Sequence, residues 1–366
     1  MLTTDKLIPI VDTAKAGYSL PQALYCQEDA FSQDMARVIK QKWLLVDHVS
    51  RIPKQGQYFL YEVGQESIIV IRENADTVNA FYNVCRHRGS LLCLEQEGAR
   101  AALTCPYHAW SYNLDGSLKN ARFMPEDFDF SENALNPCHL KIWHGLIFLN
   151  LSDGDAPEFD QEFAALTPWL EFHGFGTAKI AHRAAYPTHA NWKLVVENFL
   201  ECYHCPTAHK DFCSLLQFDT YKVTTHGIYS SHMAKGSNED NTAYSVEGAT
   251  VNDHAVWWLW PNTCLMRYPG RANFLVLNII PVGPNHTIET YDFFFETGEP
   301  TAQELEAIKY IKDVLQQEDI DIVESVQKGM ESPAFNFGRI VHDPSGSGLS
   351  EHGVHHFQKL VIAALN

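Results

Sequence analysis

The sequence lacks the glycine-rich motifs that bind nucleotide phosphates. Neither GxGxxG nor GxxxxGK[ST] occurs in its 366 residues, so we expect no Rossmann or P-loop nucleotide site in this chain. Positive charge is also scarce, because 27 Lys and Arg stand against 45 Asp and Glu, for a formal net charge of −18. We therefore expect no binding to nucleic acid, and an electrostatic field that attracts cations.

Long apolar runs and a paired set of cysteines are absent as well. A membrane span needs about eighteen consecutive apolar residues, and no stretch of the sequence approaches this length. Residues 1–30 also lack the basic start and following apolar segment of a signal peptide. We therefore predict a cytoplasmic protein that does not bind membranes. The nine cysteines are an odd number, which does not fit a disulfide framework in so long a chain. We expect buried or free thiols at Cys26, Cys93, Cys138, Cys202, Cys205, Cys213 and Cys264.

Two short cysteine–histidine pairs are the most informative feature that is present. Cys85 and His87 form a CxH motif, and Cys105 and His108 form a CxxH motif further along. Two thiolates with two imidazoles are the ligand set of a Rieske [2Fe-2S] cluster, in which the two Cys bind one iron and the two His bind the other. A Cys2His2 zinc site would use the same residue types, but it usually pairs CxxC with two later histidines. The mixed pairs favour the cluster, with zinc as the alternative.

A second candidate metal site lies in the segment from Asn191 to His209. Its apolar residues follow helical spacing, which predicts a helix with His204 in its last turn and Pro206 at its end. His209 would follow on a non-helical continuation that can turn its imidazole back beside that of His204. Two histidines at this spacing can bind one metal, but a single histidine is more often a capping or core residue.

A carboxylate in the C-terminal part could complete that site. Residues 301–304 have the form of a capping box and predict the start of a long helix. Asp319 is in register with the apolar stripe of this helix, whereas we expect Glu318 and Asp321 to point elsewhere. A buried carboxylate must be paired with a cation or bind a metal. An ion pair fits this position, and so does the two-histidine, one-carboxylate set of a non-haem Fe(II) oxygenase.

Together these motifs resemble the oxygenase component of Rieske non-haem iron oxygenases over nearly the whole chain. The matching segments are CRHRG at 85–89, CPYHAW at 105–110, NFLECYHCPTAH at 198–209 and QED at 317–319. ECYHC at 201–205 and SEHGVHHF at 350–357 are most similar to the quaternary-amine branch, such as the carnitine, glycine betaine and stachydrine monooxygenases. Ring-hydroxylating members usually have Asp where this chain has Glu201, which weighs against an aromatic dioxygenase.

The resemblance implies cofactors, site residues and an assembly. It implies a [2Fe-2S] cluster on the two Cys–His motifs and Fe(II) on His204, His209 and Asp319. It also implies a head-to-tail homotrimer, in which Glu201 links the partner subunit's His108 to His204. A carboxylate behind a metal-bound histidine fixes the orientation of the ring and can couple its protonation to electron transfer. Asn198, in the same segment, is a further candidate catalytic residue, and an ordinary surface acid is the alternative for Glu201.

The predicted reaction is the O2- and NAD(P)H-dependent hydroxylation of a carbon next to nitrogen in a quaternary or N-methylated amine. Collapse of the product would break the C–N bond, as in N-demethylation. Because the chain lacks nucleotide motifs, NAD(P)H, FMN and a ferredoxin-type cluster would act only through a separate reductase. The alternative function is aromatic-ring hydroxylation. An electron carrier without oxygen chemistry is disfavoured by the second set of metal ligands.

Aromatic side chains supply candidates for the substrate pocket. Residues 256–261 read as a strand, on which Trp257 and Trp258 face opposite sides. An aromatic surface binds a trimethylammonium group by cation–π attraction, at about 0.5–2 kcal/mol per ring. We therefore name Tyr203, Trp257, Trp258 and Trp260 as pocket candidates, with core packing as an equal alternative for each Trp. Arg267 and Arg271 are more simply explained as surface residues than as partners of a substrate carboxylate.

The length of 366 residues, with 45% apolar and 12% aromatic residues, is that of a two-domain globular enzyme. We predict the α+β class. A helical lead over 1–40 would pack on the catalytic domain, and a small β-rich Rieske domain would occupy 41–155. The catalytic domain, an antiparallel sheet covered by helices, would occupy 156–366, after a linker at 151–157 and with a first helix at 159–171.

Overall fold

The computed structural model describes residues 17–172, 176–237, 241–271, 274–295, 298–343 and 345–366. Its contacts divide the chain into two compact units. The larger unit joins the segment up to Lys42 to Phe172–Asn366, and the smaller unit is Trp43–Glu171. Both units combine helices with antiparallel sheets, which confirms the predicted α+β class.

The described part of the predicted N-terminal lead is helical. It comprises α1 (Ala23–Cys26), α2 (Glu28–Gln33), a π-helical turn over Asp34–Val38 and a 3-10 turn over Ile39–Gln41. This segment belongs to the larger unit. Residues 1–16 of the lead lie outside the described residues.

The smaller unit is built from three antiparallel sheets, with strand orders β1-β10-β9, β4-β3-β2-β5 and β6-β7-β8. The strand Leu146–Asn150 is buried along its whole length, which shows that both of its faces are covered. The strands are β1 (Leu44–His48), β2 (Gln57–Val63), β3 (Glu66–Arg72), β4 (Val78–Tyr82), β5 (Glu97–Ala99), β6 (Leu103–Thr104), β7 (Ser111–Tyr112), β8 (Leu118–Asn120), β9 (His139–Trp143) and β10 (Leu146–Asn150).

The boundary between the units corrects the prediction of a catalytic domain that starts at 156. Helices α3 (Phe159–Phe163) and α4 (Thr167–Phe172) follow the predicted linker, but the smaller unit extends to Glu171. The rings of Phe159 and Phe163 lie 5.0 and 5.3 Å from that of Phe148 on β10. The turn-rich segment is therefore internal to the smaller unit, because the aromatic side chains beyond it complete that unit's core.

The larger unit contains a seven-stranded antiparallel sheet within its described residues, with strand order β11-β17-β16-β15-β14-β13-β12. Side chains alternate between its two faces, so His254, Val256 and Trp258 share one side of β14. The strands are β11 (Lys179–Thr188), β12 (Leu216–Thr225), β13 (Tyr229–Gly236), β14 (His254–Leu259), β15 (Thr263–Arg267), β16 (Phe274–Gly283) and β17 (His286–Phe295).

The helix that was predicted to contain His204 in its last turn ends earlier, at Phe199. Helix α5 spans Trp192–Phe199, and a separate short helix, α6, spans Cys205–Ala208. His204 is the N-cap of α6, and Pro206 lies in its first turn rather than at a helix end. Proline is well suited to a first turn, where its missing N–H is not needed. Helix α7 (Lys210–Ser214) follows directly after His209.

The long helix predicted to begin at 301–304 is interrupted in the structure. The capping box of Thr301 and Glu304 is confirmed at the start of α8 (Ala302–Tyr310). A π-helical turn over Ile311–Leu315 separates α8 from α9 (Gln316–Met330). A π turn adds a residue and rotates the following helix. The buried stripe of α9 therefore runs through Ile320, Val323 and Gln327, whereas Val326 is 39% exposed.

Side chains from the N-terminal segment and from the C-terminal helix form a polar network with α5. Lys193, on α5, is fully buried and pairs with Asp34 of the N-terminal segment. Glu197, one turn later, accepts hydrogen bonds from Tyr25 Oη at 2.7 Å and from Gln358 Nε2 at 3.1 Å. Gln358 lies on α10 (His352–Leu365). Helix α5 and the segment after it are thus positioned by contacts with residues far away in sequence.

Glu197 should give the stability of the protein a characteristic pH dependence. Burial raises the pKa of Glu197 to about 7, against the effect of its two hydrogen-bond donors. The native state therefore binds more protons than the unfolded state between about pH 4.5 and 7, and stability falls as the pH rises through this window. Glu197→Gln keeps an acceptor oxygen for both donors and removes the charge. We expect the variant to gain about 1–2 kcal/mol over wild type at about pH 8, since the side chain is largely buried.

Urea denaturation at a series of pH values measures this difference directly. The exposed Glu306→Gln on α8 is the control and should leave the pH profile unchanged. If the free energy of unfolding varied with pH in the same way for Glu197→Gln and wild type, burial of this carboxylate would not influence stability.

Candidate functional site

Three side chains from distant parts of the sequence converge in the larger unit. His209 Nε2 lies 3.2 Å from His204 Nε2 and 3.0 Å from Asp319 Oδ1. His204 Nε2 lies 3.5 Å from the same carboxylate oxygen. Among the described residues, this is the one group of three or more such ligands whose donor atoms all lie within 4.8 Å of one another. The structure therefore brings together all three predicted iron ligands.

The outward-facing nitrogen of each histidine is held by a further carboxylate. Glu201 accepts a hydrogen bond from His204 Nδ1, and Glu318 accepts one from His209 Nδ1 at 2.8 Å. With each Nδ1 donating, each Nε2 would direct its lone pair at the common point once it is deprotonated, as in metal-bound histidines. The prediction that Glu318 points elsewhere is wrong, because the π turn rotates α9. Asp321 does face away, and it accepts from Gln317.

The charges around this point favour a bound cation. Burial alone would lower the pKa of His204, but hydrogen bonds to Asp319 and Glu201 outweigh it and raise that pKa to about 10. Burial would raise the pKa of Asp319, but the two imidazoles lower it to about 2. Three carboxylates thus surround two imidazoles. Two imidazole nitrogens and one carboxylate oxygen fit the facial triad of a non-haem Fe(II) site.

The loop between α5 and α6 positions Glu201 and His204. The Glu201 carboxylate accepts hydrogen bonds from the backbone N–H groups of Tyr203 and, at 3.2 Å, of His204. A disulfide joins Cys202 to Cys205 across this loop, with their Cα atoms 4.9 Å apart. The prediction that both are thiols is wrong. The CxxC spacing was the signal in the sequence, but spacing alone does not show that the loop turns back sharply enough to pair them.

The four predicted cluster ligands lie on two loops of the smaller unit. Cys85 and His87 follow β4, and Cys105 and His108 lie between β6 and β7. Both cysteines are buried, whereas His87 is partly exposed and His108 is exposed. The two imidazole rings are 4.7 Å apart. The thiols thus face the core and the imidazoles face the surface.

The surroundings of these side chains fit a Rieske cluster. His87 Nδ1 is buried without a hydrogen-bond partner in the described structure, which suits a metal-ligating atom. Burial alone would raise the pKa of Cys105, but backbone N–H groups of Tyr107 and His108 outweigh it and lower that pKa. Tyr112 Oη lies 3.4 Å from Cys85 Sγ. Such donors stabilise thiolates and tune the potential of a cluster.

An aromatic cavity lies beside the three converging ligands. Four ring-bearing side chains, Phe212, Tyr221, His254 and Tyr268, contact one another in its wall. The His254 ring centroid lies 5.1 Å from that of Tyr268, 5.5 Å from that of Phe212 and 5.8 Å from that of Tyr221. Asn198 also lines the cavity, one helical turn before Glu201. We call the four rings the aromatic wall.

None of the aromatic residues predicted for the substrate pocket lines this cavity. Trp258 and Trp260 are 0% and 4% exposed and pack against Phe357 of α10. Trp257 lies on the opposite face of β14, and Tyr203 is 52% exposed. The structure therefore does not bring these four residues to the cavity beside the metal ligands, where the aromatic wall lies instead. Alternation along a strand shows which residues share a face, but not which of them reach the metal ligands.

Comparison with known proteins agrees with these two sites. Residues 42–139 match the Rieske [2Fe-2S] domain, and residues 175–366 match the catalytic domain of the ring-hydroxylating alpha subunit. The chain belongs to the Rieske oxygenase α-subunit family. It is therefore an oxidoreductase with a Rieske domain and a non-haem iron domain, as predicted. Among the described residues, no helix is both long and apolar enough to cross a membrane.

Several relatives of this Rieske oxygenase are named for quaternary ammonium substrates. The carnitine monooxygenase oxygenase subunit of Escherichia coli is 35% identical over 352 residues, which cover 94% of this chain and 93% of that protein. The glycine betaine monooxygenase oxygenase subunit of Pseudomonas aeruginosa is 40% identical over 204 residues, 55% of this chain and 47% of that protein.

Solved structures extend this similarity to the fold. The quaternary ammonium Rieske monooxygenase CntA in complex with L-carnitine has a TM-score of 0.86 and 31% identity, covering 97% of this chain and 98% of that one. Naphthalene 1,2-dioxygenase from Rhodococcus has a TM-score of 0.82 at 19% identity, covering 99% and 97%. At that identity the likeness shows the fold alone.

Removal of the Glu318 carboxylate should weaken iron binding. In Glu318→Ala the His209 ring loses the acceptor that sets its orientation, so we expect the Fe(II) affinity to fall about 10–100-fold. Glu318→Gln retains an acceptor oxygen and should lose less. Anaerobic Fe(II) titration measures the affinity, and Asp321→Ala on the same helix is the control. Equal affinities of Glu318→Ala and the control would exclude this role of Glu318.

Proposed function

We propose that this protein is the oxygenase component of a two-component Rieske monooxygenase that acts on a quaternary or N-methylated amine. The aromatic wall beside the converging ligands carries this proposal. The rings of Phe212, Tyr221 and Tyr268 provide cation–π attraction of about 0.5–2 kcal/mol each to a trimethylammonium group. The carboxylates of Glu201 and Asp319 also line the cavity and add attraction for a cation. The names of relatives that match nearly the whole chain support the same substrate class.

The favoured reaction hydroxylates a carbon next to the nitrogen. It consumes O2, two electrons and two protons, and it yields water and a carbinolamine whose collapse breaks the C–N bond. When bound, the [2Fe-2S] cluster would supply electrons through Cys85, Cys105, His87 and His108, and Fe(II) on the triad would activate O2. N-demethylation is the outcome when a methyl group is hydroxylated. Hydroxylation of the longer chain would release an amine instead.

The protein's own side chains do the positioning in this proposal. Glu201 and Glu318 hold the tautomers and ring orientations of His204 and His209 through their Nδ1 atoms. The aromatic wall orients the ammonium group and keeps water away from the carbon to be attacked. Asn198 lies in the same wall as Glu201 and is a candidate to contact substrate or its carboxylate neighbours.

A head-to-tail homotrimer is part of the proposal, with Glu201 as the electron bridge to the partner subunit's His108. Glu201, Glu351 and the exposed Val326 lie in one groove of the larger unit. In the smaller unit, exposed Arg88 and Tyr107 lie beside His108. Acidic and basic surfaces of this kind are complementary between copies. The name of one solved relative's structure refers to inter-subunit electron transfer in that protein.

Electrons would come from a separate reductase that carries FMN and a ferredoxin-type cluster and oxidises NAD(P)H. The absence of GxGxxG and GxxxxGK[ST] motifs supports this division of labour. A cytoplasmic location follows from the same proposal, since NAD(P)H is available there.

Turnover on a substrate panel tests the proposed reaction. The iron-loaded protein, a flavin and iron–sulfur reductase and NADH are supplied with carnitine, γ-butyrobetaine, glycine betaine, stachydrine, choline or naphthalene. We expect O2-dependent formation of an aldehyde or a free amine from a quaternary amine, detected by mass spectrometry. His204→Ala should keep the cluster spectrum and form no product. Hydroxylated naphthalene without turnover of any amine would overturn the substrate class.

Mixed oligomers test the electron path. His108→Ala lacks a cluster ligand and His204→Ala lacks an iron ligand, so each is inactive alone. A mixed head-to-tail ring of three contains one junction between an intact cluster and an intact iron site, so we expect about one third of wild-type activity per trimer. Mixtures of His204→Ala with Asp319→Ala are the control and should remain inactive. Inactive mixed trimers of the first kind would show that electrons do not cross between subunits.

A further inference from the structure

One polar atom in the wall of the cavity lacks a partner. His254 is 3% exposed, and its Nδ1 has no hydrogen-bond partner among the described residues. The neighbouring polar groups are occupied. Tyr221 Oη lies 3.2 Å from His232 Nδ1, and Ser230 Oγ lies 3.4 Å from His232 Nε2. Leaving a buried polar atom without a hydrogen-bond partner costs free energy. An unpaired polar atom on a residue that lines a cavity therefore suggests that a ligand supplies the missing hydrogen bond.

The position of His254 suits contact with the same molecule that binds the aromatic wall. Its ring is one of the four rings of that wall, and it shares a face of β14 with Val256, which also lines the cavity. His254 is the first residue of this strand and pairs with Ala234 of β13. A ligand whose ammonium group lies against the rings therefore lies beside the imidazole.

Burial keeps this imidazole neutral. Desolvation lowers the pKa of His254 to about 3, and that of the neighbouring His232 also to about 3. A neutral imidazole offers one N–H donor and one lone pair, and its tautomer can adapt to either a donor or an acceptor on the ligand. His254 can therefore bind a hydroxyl or a carboxylate oxygen without carrying a charge.

The charged residues that line the cavity can bind the ammonium end of a substrate but not a carboxylate. Glu201 and Asp319 bring negative charge to the triad side, while no Lys or Arg is among the described residues that line the cavity. The cationic end of a substrate thus has carboxylates and rings as partners. Its polar end has no ion-pair partner there, and must be bound by neutral hydrogen-bonding groups.

We propose that His254 is a specificity-determining residue, which hydrogen-bonds the hydroxyl or carboxylate oxygen at the end of the substrate away from the ammonium group. This inference rests on the proposed function, because it takes the ligand to be a quaternary amine. It predicts that the enzyme distinguishes amines that carry a polar end from tetramethylammonium, which has none, and that His254 provides this discrimination.

Ligand truncation combined with mutation tests the proposal. Anaerobic calorimetry on the iron-loaded protein gives Kd values for tetramethylammonium, choline, glycine betaine and carnitine. For wild type we expect at least one polar-ended ligand to bind about 2–10-fold more tightly than tetramethylammonium, the usual worth of one hydrogen bond. In His254→Phe, which keeps the ring and removes both nitrogens, this ratio should fall to about one. Tetramethylammonium itself should bind as well as before.

Two further variants make the result specific. His254→Gln retains a donor and an acceptor and should keep part of the preference, which also covers the case in which His254→Phe does not fold. Trp257→Phe changes an aromatic residue on the opposite face of the same strand and should leave every Kd unchanged. Iron content and the cluster spectrum, measured for each variant, verify that both metal sites are intact.

The outcomes separate this inference from the proposed function. A polar-end preference that is unchanged in His254→Phe and His254→Gln overturns the inference and leaves the amine substrate class standing. An equal loss of affinity for all four ligands, tetramethylammonium included, also overturns it, because His254 would then only shape the cavity. If wild type binds none of the four, the proposed substrate class itself falls, and the inference with it.

Discussion

Two imidazole nitrogens and one carboxylate oxygen must point at the same place although they come from three separate elements. His204 caps α6, His209 lies between two short helices, and Asp319 lies in the first turn of α9. Like-charged or lone-pair-bearing atoms only a few ångströms apart repel unless a cation or a proton lies between them. Glu201 and Glu318 direct the protons of the histidines outwards, so the inward-facing atoms remain available for a metal. The rest of the larger unit maintains this convergence.

The scaffold meets that requirement through buried contacts between distant segments. Helix α5 is held by the Lys193–Asp34 pair and by the bonds of Glu197 with Tyr25 and Gln358. Gly353 of α10 packs so closely that a Cβ there would lie 2.4 Å from the carbonyl oxygen of Leu200. The loop that carries Glu201 and His204 therefore starts from a fixed point. A site of this kind needs a rigid base, since small displacements of ligands are costly to metal binding and catalysis.

The cavity beside the ligands combines two kinds of attraction for a cation. Its aromatic wall offers polarisable ring faces, and its carboxylates offer charge. Trp258 and Trp260, which the sequence suggested for this role, pack in the core against Phe357. Tyr268 is far from Phe212 and Tyr221 in the sequence, and none of the three belongs to a recognisable motif.

The sequence by itself determined the chemistry of both metal sites. The mixed Cys–His pairs, the histidines at 204 and 209 and the carboxylate at 319 were all named as candidate ligands from residue type and spacing, because few metal sites use these ligand sets. Tertiary structure alone decided the contact of Glu318 with His209, the pairing of Cys202 with Cys205, the extent of the smaller unit and the identity of the aromatic wall. Each depends on a local irregularity or on long-range packing: a π turn that rotates α9, a sharp loop after α5, aromatic side chains that complete a core, and the register of a seven-stranded sheet. Such features follow from the sum of many weak contacts, which no single spacing in the sequence records.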